Sequence, residues 1–393
     1  MPEKQTVPEI RNAILSWFAA NQRPLPWRQH ITPYRIWISE IMLQQTQMER
    51  GVAYFQRWMA LFPNIHSVAE ADESSLLKAW EGLGYYSRAR NIQAAARIIM
   101  RHHGGVFPSR HEDILSLPGI GPYTAGAIAS IAFNQDVPCV DGNVERVFSR
   151  LFNIESPVRE EPAKKYIAAL ARDMLPPGQA GQFNQALMEF GALVCRKKPV
   201  CAVCPLQTWC MAHQQNCAPE RPVRGKRPST VTQNMVAGVL QRSRTVGTSK
   251  TGRNEEMAGE ILLHFRNNTK LWDGLWEFPA GEAATNEPPE TAVLRIFREQ
   301  FGLVNLQIVK KLIVIRHSFT THRVRLHCFL LRFSPADPAS TAMDKTVCET
   351  RTDQTESTLR WIAAGEIDSL PMPAPHRRLA ENPVFFDNLQ KKA

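Results

Sequence analysis

The chain has 393 residues, 44% of them hydrophobic, which suits two or three packed units better than one. Its formal charge of +10 favours polyanionic partners such as nucleic acid. No apolar run is long enough to span a bilayer, and the first 22 residues lack a basic start followed by a continuous apolar stretch. These features predict a cytoplasmic protein with no membrane partner.

Up to about residue 215 the pattern is helical, with apolar residues recurring at three or four positions over 10–20, 34–47, 76–80, 89–102, 125–133 and 163–174. Prolines and glycines punctuate these segments at Pro63, Gly82, Gly104, Gly105, Pro118 and Pro176 to Gly178. Residues 219–232 are rich in proline and basic residues and read as a linker. Beyond it, strand-like runs at 235–240, 260–266, 310–316 and 324–333 surround one helical stretch at 289–301. Residues 267–268 and 335–357 read as surface loops. The expected organisation is an all-α domain over 1–218, the linker, and an α+β domain over 233–393.

Between two helices, Leu117-Pro118-Gly119-Ile120-Gly121-Pro122-Tyr123-Thr124 reads as a glycine-rich hairpin. Such a turn presents backbone N–H groups at a helix N-terminus, which suits an anionic oxygen. Val140-Asp141-Gly142-Asn143-Val144 follows closely and puts an aspartate at a helix start.

Glu40 is the acidic group in a helix that is apolar nearly all round from Ile36 to Leu43. Such a helix is buried, and burial raises a carboxyl's pKa, keeping a proton available near neutral pH. The plain alternative is a glutamate satisfied by a buried arginine or at a subunit contact. Asp141 has the opposite expectation: at an N-cap it accepts backbone N–H bonds and stays ionised. One neutral and one anionic carboxyl form the arrangement that cleaves a glycosidic bond through an oxocarbenium-like transition state.

Cys195, Cys201, Cys204 and Cys210 follow C-x5-C-x2-C-x5-C. Four thiolates in one compact segment imply a metal centre, either tetrahedral zinc or a four-iron cluster. Cys139, Cys217, Cys328 and Cys348 lack such spacing and read as ordinary thiols.

Trp37-Ile38-Ser39-Glu40-Ile41-Met42-Leu43-Gln44-Gln45-Thr46 resembles the signature of the MutY-type adenine DNA glycosylases, a branch of the endonuclease III-like helix-hairpin-helix superfamily. The match extends through Pro26-Trp27-Arg28, Gly82-Leu83-Gly84-Tyr85-Tyr86, the hairpin, Asp141 to Val144 and Phe183-Asn184-Gln185-Ala186. The resemblance implies an all-α helix-hairpin-helix glycosylase domain with an iron-sulfur loop, followed by an α+β Nudix-like domain. It implies removal of adenine paired with 8-oxoguanine or guanine in double-stranded DNA, by a monomer that flips the base out of the stack.

By that resemblance Glu40 protonates adenine N7, Asp141 stabilises the sugar cation and Asn143 orients Asp141 or a nearby water. Gly119 and Gly121 meet a phosphate, Arg28 and Glu189 contact the extruded adenine, and Gln45 and Tyr85 enter the duplex. Family members with lyase activity carry a lysine where Tyr123 stands. A phenol forms no imine, so base removal without strand cleavage is expected, with Tyr123 assisting Asp141. The cysteine pattern resembles the family's cubane loop, implying [4Fe-4S] rather than zinc, although the gap between Cys195 and Cys201 is one residue shorter than usual.

Trp272 to Gly302 resembles a degraded Nudix box, with Gly281, Glu287, Arg295, Glu299 and Gly302 near the expected places. Ile296 and Gln300 replace the metal-binding glutamates, which removes the Mg²⁺ site for pyrophosphate hydrolysis and leaves a binding fold. The family reads 8-oxoguanine through a Phe-Ser-His loop, and His317 to His322 is the matching segment. Phe319 would stack on the lesion and Thr320 would hydrogen-bond it.

Overall fold

The computed structural model of the chain describes residues 6–225, 229–243, 259–267, 269, 271–319, 321–334 and 358–383. The chain folds as two compact units, Met1–Ala71 with Ser87–Arg227, and Asp72–Tyr86 with Pro228–Ala393.

The first unit is helical. The helix Pro33–Leu43 starts where Thr32 Oγ1 accepts from Arg35 N at 3.2 Å, with proline in the first turn where its missing N–H costs nothing. From Ile36 to Met42 every residue is buried, as an all-round apolar pattern requires. The helix ends before the expected residue 47, because Gln44 leaves helical geometry and Gln45 adopts φ +59°. The helix therefore stops beside Gln44 and Gln45 and turns both toward the site described below.

The hairpin forms between His111–Leu115 and Pro122–Phe133. Gly119 takes φ +76°, and a Cβ there would lie 2.6 Å from the Asn91 Cβ, so only glycine closes the turn without displacement. Asp141 caps Gly142–Leu151 as the sequence predicts. The sequence pattern does not mark the helices Met48–Leu61, Ile65–Glu70 and Ala180–Leu193 as separate elements.

One core joins three helices, two of which line the site. Ile10, Ile14 and Phe18 of Val7–Asn21 pack with Val147, Phe148 and Leu151 of Gly142–Leu151, and with Phe183, Leu187 and Phe190 of Ala180–Leu193. Each such side chain contributes about 1.5–3 kcal/mol on burial, so the positions of the polar groups at these helix ends are fixed by apolar packing. Among the described residues no helix is long and apolar enough to cross a membrane.

The second unit contains a sheet of β1 Val231–Ser243, β2 Gly259–Phe265, β3 Trp276–Glu277, β4 Ala280–Glu282, β5 Leu306–Phe319, β6 His322–Phe333 and β7 Leu359–Ala363. The order is β3-β2-β1-β6-β5, with β4 on β1 and β7 on β2. β1 and β6 run parallel while β5 and β6 form an antiparallel hairpin. Alternation divides β1: Ala237 and Val239 join one core, while Val236 and Leu240 face Ala292, Val293, Ile296 and Phe297 of the helix Pro289–Phe301. β1 begins at Val231, inside the stretch that reads as linker. The loop expected over 335–357 lies outside the described residues.

By sequence the segment Asp72–Tyr86 reads as part of the helical domain, yet it packs with the second unit. Glu81 accepts from Met372 N and Arg377 Nε, both at 2.9 Å, and Tyr86 donates its hydroxyl to Met372 O at 3.1 Å. These partners lie almost three hundred positions away in sequence, beyond the reach of any local pattern.

Candidate active site

Within the first unit a pocket of about 610 Å³ is lined by Arg28, Glu40, Gln45, Tyr123, Asp141, Asn143 and Glu189, among others. The sequence places these residues in five separate segments, and folding brings all of them to one cavity. Arg23, Gln44, Gln185 and Met188 also line it.

Glu40 is 8% exposed. Burial raises its pKa to about 7, and the negative charge of Asp141 pushes the same way. The Tyr123 hydroxyl, donating to Glu40 Oε2 at 2.6 Å, and the Arg28 guanidinium pull it down but do not cancel the burial. This carboxyl retains its proton through mildly acidic and near-neutral solution. Tyr123 touches Glu40 rather than Asp141, so its bonded role differs from the one expected.

Asp141 is held by three hydrogen bonds. Its Oδ1 accepts from Asn143 N at 2.9 Å and Val144 N at 2.8 Å, and its Oδ2 accepts from Asn143 Nδ2 at 2.6 Å. Asn143 thus orients the aspartate directly. The cap alone predicts an Asp141 that stays charged. Burial instead lifts its pKa above the ordinary value, and the cap bonds only partly offset that rise. Arg146 supports the arrangement from behind, donating to Asn143 Oδ1 and to Gly191 O, each at 2.8 Å. Gly191 is required at this crossing, because a Cβ would come within 2.7 Å of the Asn143 Cβ.

Glu189 sits at 2% exposure between two arginines. Burial raises its pKa, but the hydrogen bonds from Arg23 and Arg28 outweigh that and hold it at about 2. Arg23 Nε and Nη2 reach its two oxygens at 2.8 Å, a bidentate pair, and Arg28 adds Nη1 at 3.3 Å and Nη2 at 3.2 Å. Arg28 Nε also donates to Gln185 Oε1 at 3.1 Å. The sequence does not single out Arg23, whose partner lies 166 positions away. Nor does it assign a task to Asn184, which braces the approach to Asp141 by accepting from Cys139 N at 3.2 Å and donating to Val137 O at 2.9 Å. The run Phe183 to Ala186 carries that signal without its meaning.

Gly119 and Gly121 lie at the hairpin, with Gly121 exposed and capping the helix Pro122–Phe133. Tyr85 belongs to the second unit, 42% exposed at φ +49°. Cys195, Cys201, Cys204 and Cys210 line one cavity walled by Val194, Pro199, Val200 and Ala218. Arg150 closes it, donating to Cys195 Sγ at 3.4 Å and Arg196 O at 2.7 Å. Among the described residues no group of three His, Cys, Asp or Glu side chains is arranged to hold a metal ion. The four thiols line one small space, and four thiols are a donor set that thiolate-bound metal centres use.

In the second unit Phe319 ends β5, stacked on His322 at 5.3 Å and 12°. Trp272 lies 6.2 Å from it. Thr320 falls outside the described residues. Ile296 is fully buried, and Glu287 is engaged by Arg295 through two contacts of 2.8 Å, so the box serves packing and internal ion pairing.

Residues 38–177 match the model of the HhH-GPD superfamily base excision DNA repair proteins, and residues 254–382 match the NUDIX domain model. Adenine DNA glycosylase of Rattus norvegicus is 34% identical over 381 residues, covering 86% of this chain and 73% of that protein. The Homo sapiens protein of the same name is 33% identical, covering 85% and 69%. The solved structure of a thermostable thymine-DNA glycosylase superposes with a TM-score of 0.50 at 27% identity, over 54% of this chain and 98% of the other. With a paired-carboxyl pocket in a helical unit, a Nudix-like second unit and relatives matched over most of their length, the chain belongs to the adenine DNA glycosylase family.

Proposed function

We propose that this protein, acting as a monomer, hydrolyses the N-glycosidic bond of adenine paired with 8-oxoguanine or guanine in duplex DNA. The observation that carries the reading is the pocket itself: Glu40, with its pKa at about 7, lines the same cavity as the capped Asp141. The glycosidic bond is hard to reach inside stacked DNA, so adenine must leave the helix to enter this cavity.

The hairpin amides around Gly119 and Gly121 receive a phosphate of the DNA strand. Gln45 and Tyr85 fill the vacated stack. In the pocket Arg28 meets the extruded base, and Glu189 keeps Arg28 and Arg23 in place. Glu40 donates its proton to adenine N7, which turns the base into a neutral leaving group. As the bond to C1′ lengthens, positive charge grows on the sugar, and the Asp141 carboxylate stabilises it. Asn143 holds that carboxylate through its amide; water then adds to C1′ and gives its proton to the Glu40 carboxylate left by the first step. Tyr123 supplies a phenol where a lyase needs an amine, so the product is an abasic site in an unbroken strand.

The four cysteines would hold a [4Fe-4S] cluster as thiolates, and Arg196, Lys197 and Lys198 on that loop carry charge suited to phosphates. When bound, such a cluster supplies four iron–thiolate bonds that cross-link the loop. The C-x5-C-x2-C-x5-C spacing, with its single C-x2-C unit, supports this over a single zinc ion. In the second unit, Phe319 and Thr320 would read the oxidised guanine.

The test is a duplex carrying adenine opposite 8-oxoguanine, with strands compared before and after alkali. Breaks only after alkali are the expected result. Breaks without alkali would overturn the Tyr123 argument, and no breaks in either sample would overturn the function.

A further inference from the structure

We propose that Arg377 and Glu81 form a clasp that shapes the Gly82–Tyr85 turn, so that the second unit sets the position from which Tyr85 enters the duplex. The proposal rests on the reading of Tyr85 as a duplex-entering residue, and Arg377 acts as a positioning residue through it.

The turn is costly to maintain. Gly82, Gly84 and Tyr85 all adopt left-handed backbone, at φ +93°, +72° and +49°. Glycine accepts this freely, but tyrosine does not. A strained side chain persists only where its surroundings over-determine it, and strain of this kind clusters at working sites. Tyr85 is nonetheless 42% exposed, so burial of its own ring is not what holds it.

The flanking residues contribute restraint. On one side Trp80 Nε1 donates to Gly84 O at 3.1 Å, spanning the turn. On the other, Tyr86 accepts from Gly82 N at 3.4 Å and donates to Met372 O at 3.1 Å. Between them Glu81 uses both carboxylate oxygens. Oε1 accepts from Met372 N and Arg377 Nε at 2.9 Å, and Oε2 accepts from Lys78 Nζ at 2.5 Å.

Arg377 is 9% exposed and has its remaining donors on Leu370 O at 2.6 Å, Ile367 O at 3.2 Å and Asp368 Oδ1 at 3.1 Å. Its planar fork joins the Ile367–Met372 stretch to the start of the turn in a way that lysine cannot copy. Tyr85 thus shares one compact unit with Phe319, the candidate lesion reader, although Ala71 and Ser87 on either side of its segment belong to the other unit. Without the clasp, the turn relaxes toward unstrained backbone and Tyr85 loses its aim.

The experiment is a double-mutant cycle in the full-length protein, reading single-turnover base release from a duplex with adenine opposite 8-oxoguanine. Arg377→Ala and Tyr85→Ala are each expected to slow release by about tenfold, and the double variant to be no slower than Tyr85→Ala alone. A merely structural arginine would give multiplicative losses, and that result overturns the proposal. Glu81→Gln, which keeps the acceptor for Met372 N but removes the charge, goes through the same cycle and decides the matter should Arg377→Ala fail to fold. If Tyr85→Ala releases adenine at the parent rate, the duplex-entry reading falls and the clasp's role falls with it. If Tyr85→Ala is slow but Arg377→Ala and Glu81→Gln are both unimpaired, the clasp alone is refuted.

Discussion

Glu40→Gln replaces a buried carboxyl by an amide of nearly the same shape, whose oxygen still accepts the Tyr123 hydroxyl now found at 2.6 Å. The carboxyl is raised from 4.5 to about 7 in the folded protein, while in the unfolded chain it ionises at its ordinary value. A raised carboxyl contributes stability that is complete below pH 4.5 and is lost as pH climbs through 7. Carried over that interval, the loss amounts to about 3 kcal/mol, with no discount for solvent because the group is buried. The amide does not titrate, so the variant escapes it. Urea unfolding at pH 5 and pH 8 should therefore show the variant gaining stability relative to the parent, most of the ~3 kcal/mol appearing between those two pH values. With an m-value of about 3 kcal/mol/M the midpoint moves by about 1 M. Base release should fall by about 10²–10⁴-fold in the same variant, as expected for loss of a general acid. A stability difference that is identical at both pH values would refute the argument, because it would mean that Glu40 is not held protonated by the fold.

In the parent protein, base release should decline as pH rises through about 7, where Glu40 loses its proton. Tyr123→Phe removes a bond that favours the charged carboxylate, so the alkaline limb of the pH–rate profile should move upward; a downward move or none contradicts the assignment. Gly191→Ala forces a Cβ to within 2.7 Å of the Asn143 Cβ and should cost about 1–3 kcal/mol in a melting experiment, with base release reduced more than duplex binding. Cys204→Ser should lower bound iron and acid-labile sulfide together; a parent protein that purifies with stoichiometric zinc would exclude the cluster.

Much of the site is legible in the sequence because its signals are local. A proline and two glycines mark the hairpin, an aspartate before a helix marks its cap, and the spacing of Cys195, Cys201, Cys204 and Cys210 marks a shared cavity. The nearly all-round apolar pattern about Glu40 announces the burial of that carboxyl by itself. Burial of Asp141 is not legible, because the same cap chemistry occurs in water and in the interior. Only the packing of Ala180–Leu193 against Gly142–Leu151 decides which applies. The Arg23–Glu189 pair and the bracing by Asn184 are silent for a related reason: each joins segments without a common period.

The succession of a helical and then a mixed α+β region, the two carboxyls, the thiol set and the missing amine at position 123 were therefore determined by the chain alone, since each depends on a residue's own chemistry and its near neighbours. Tertiary structure decided how strongly each carboxyl is shifted, which arginine holds Glu189, and that Asp72–Tyr86 packs with the Nudix-like unit. Those outcomes depend on desolvation and on partners brought together by folding, and neither quantity exists in an extended chain.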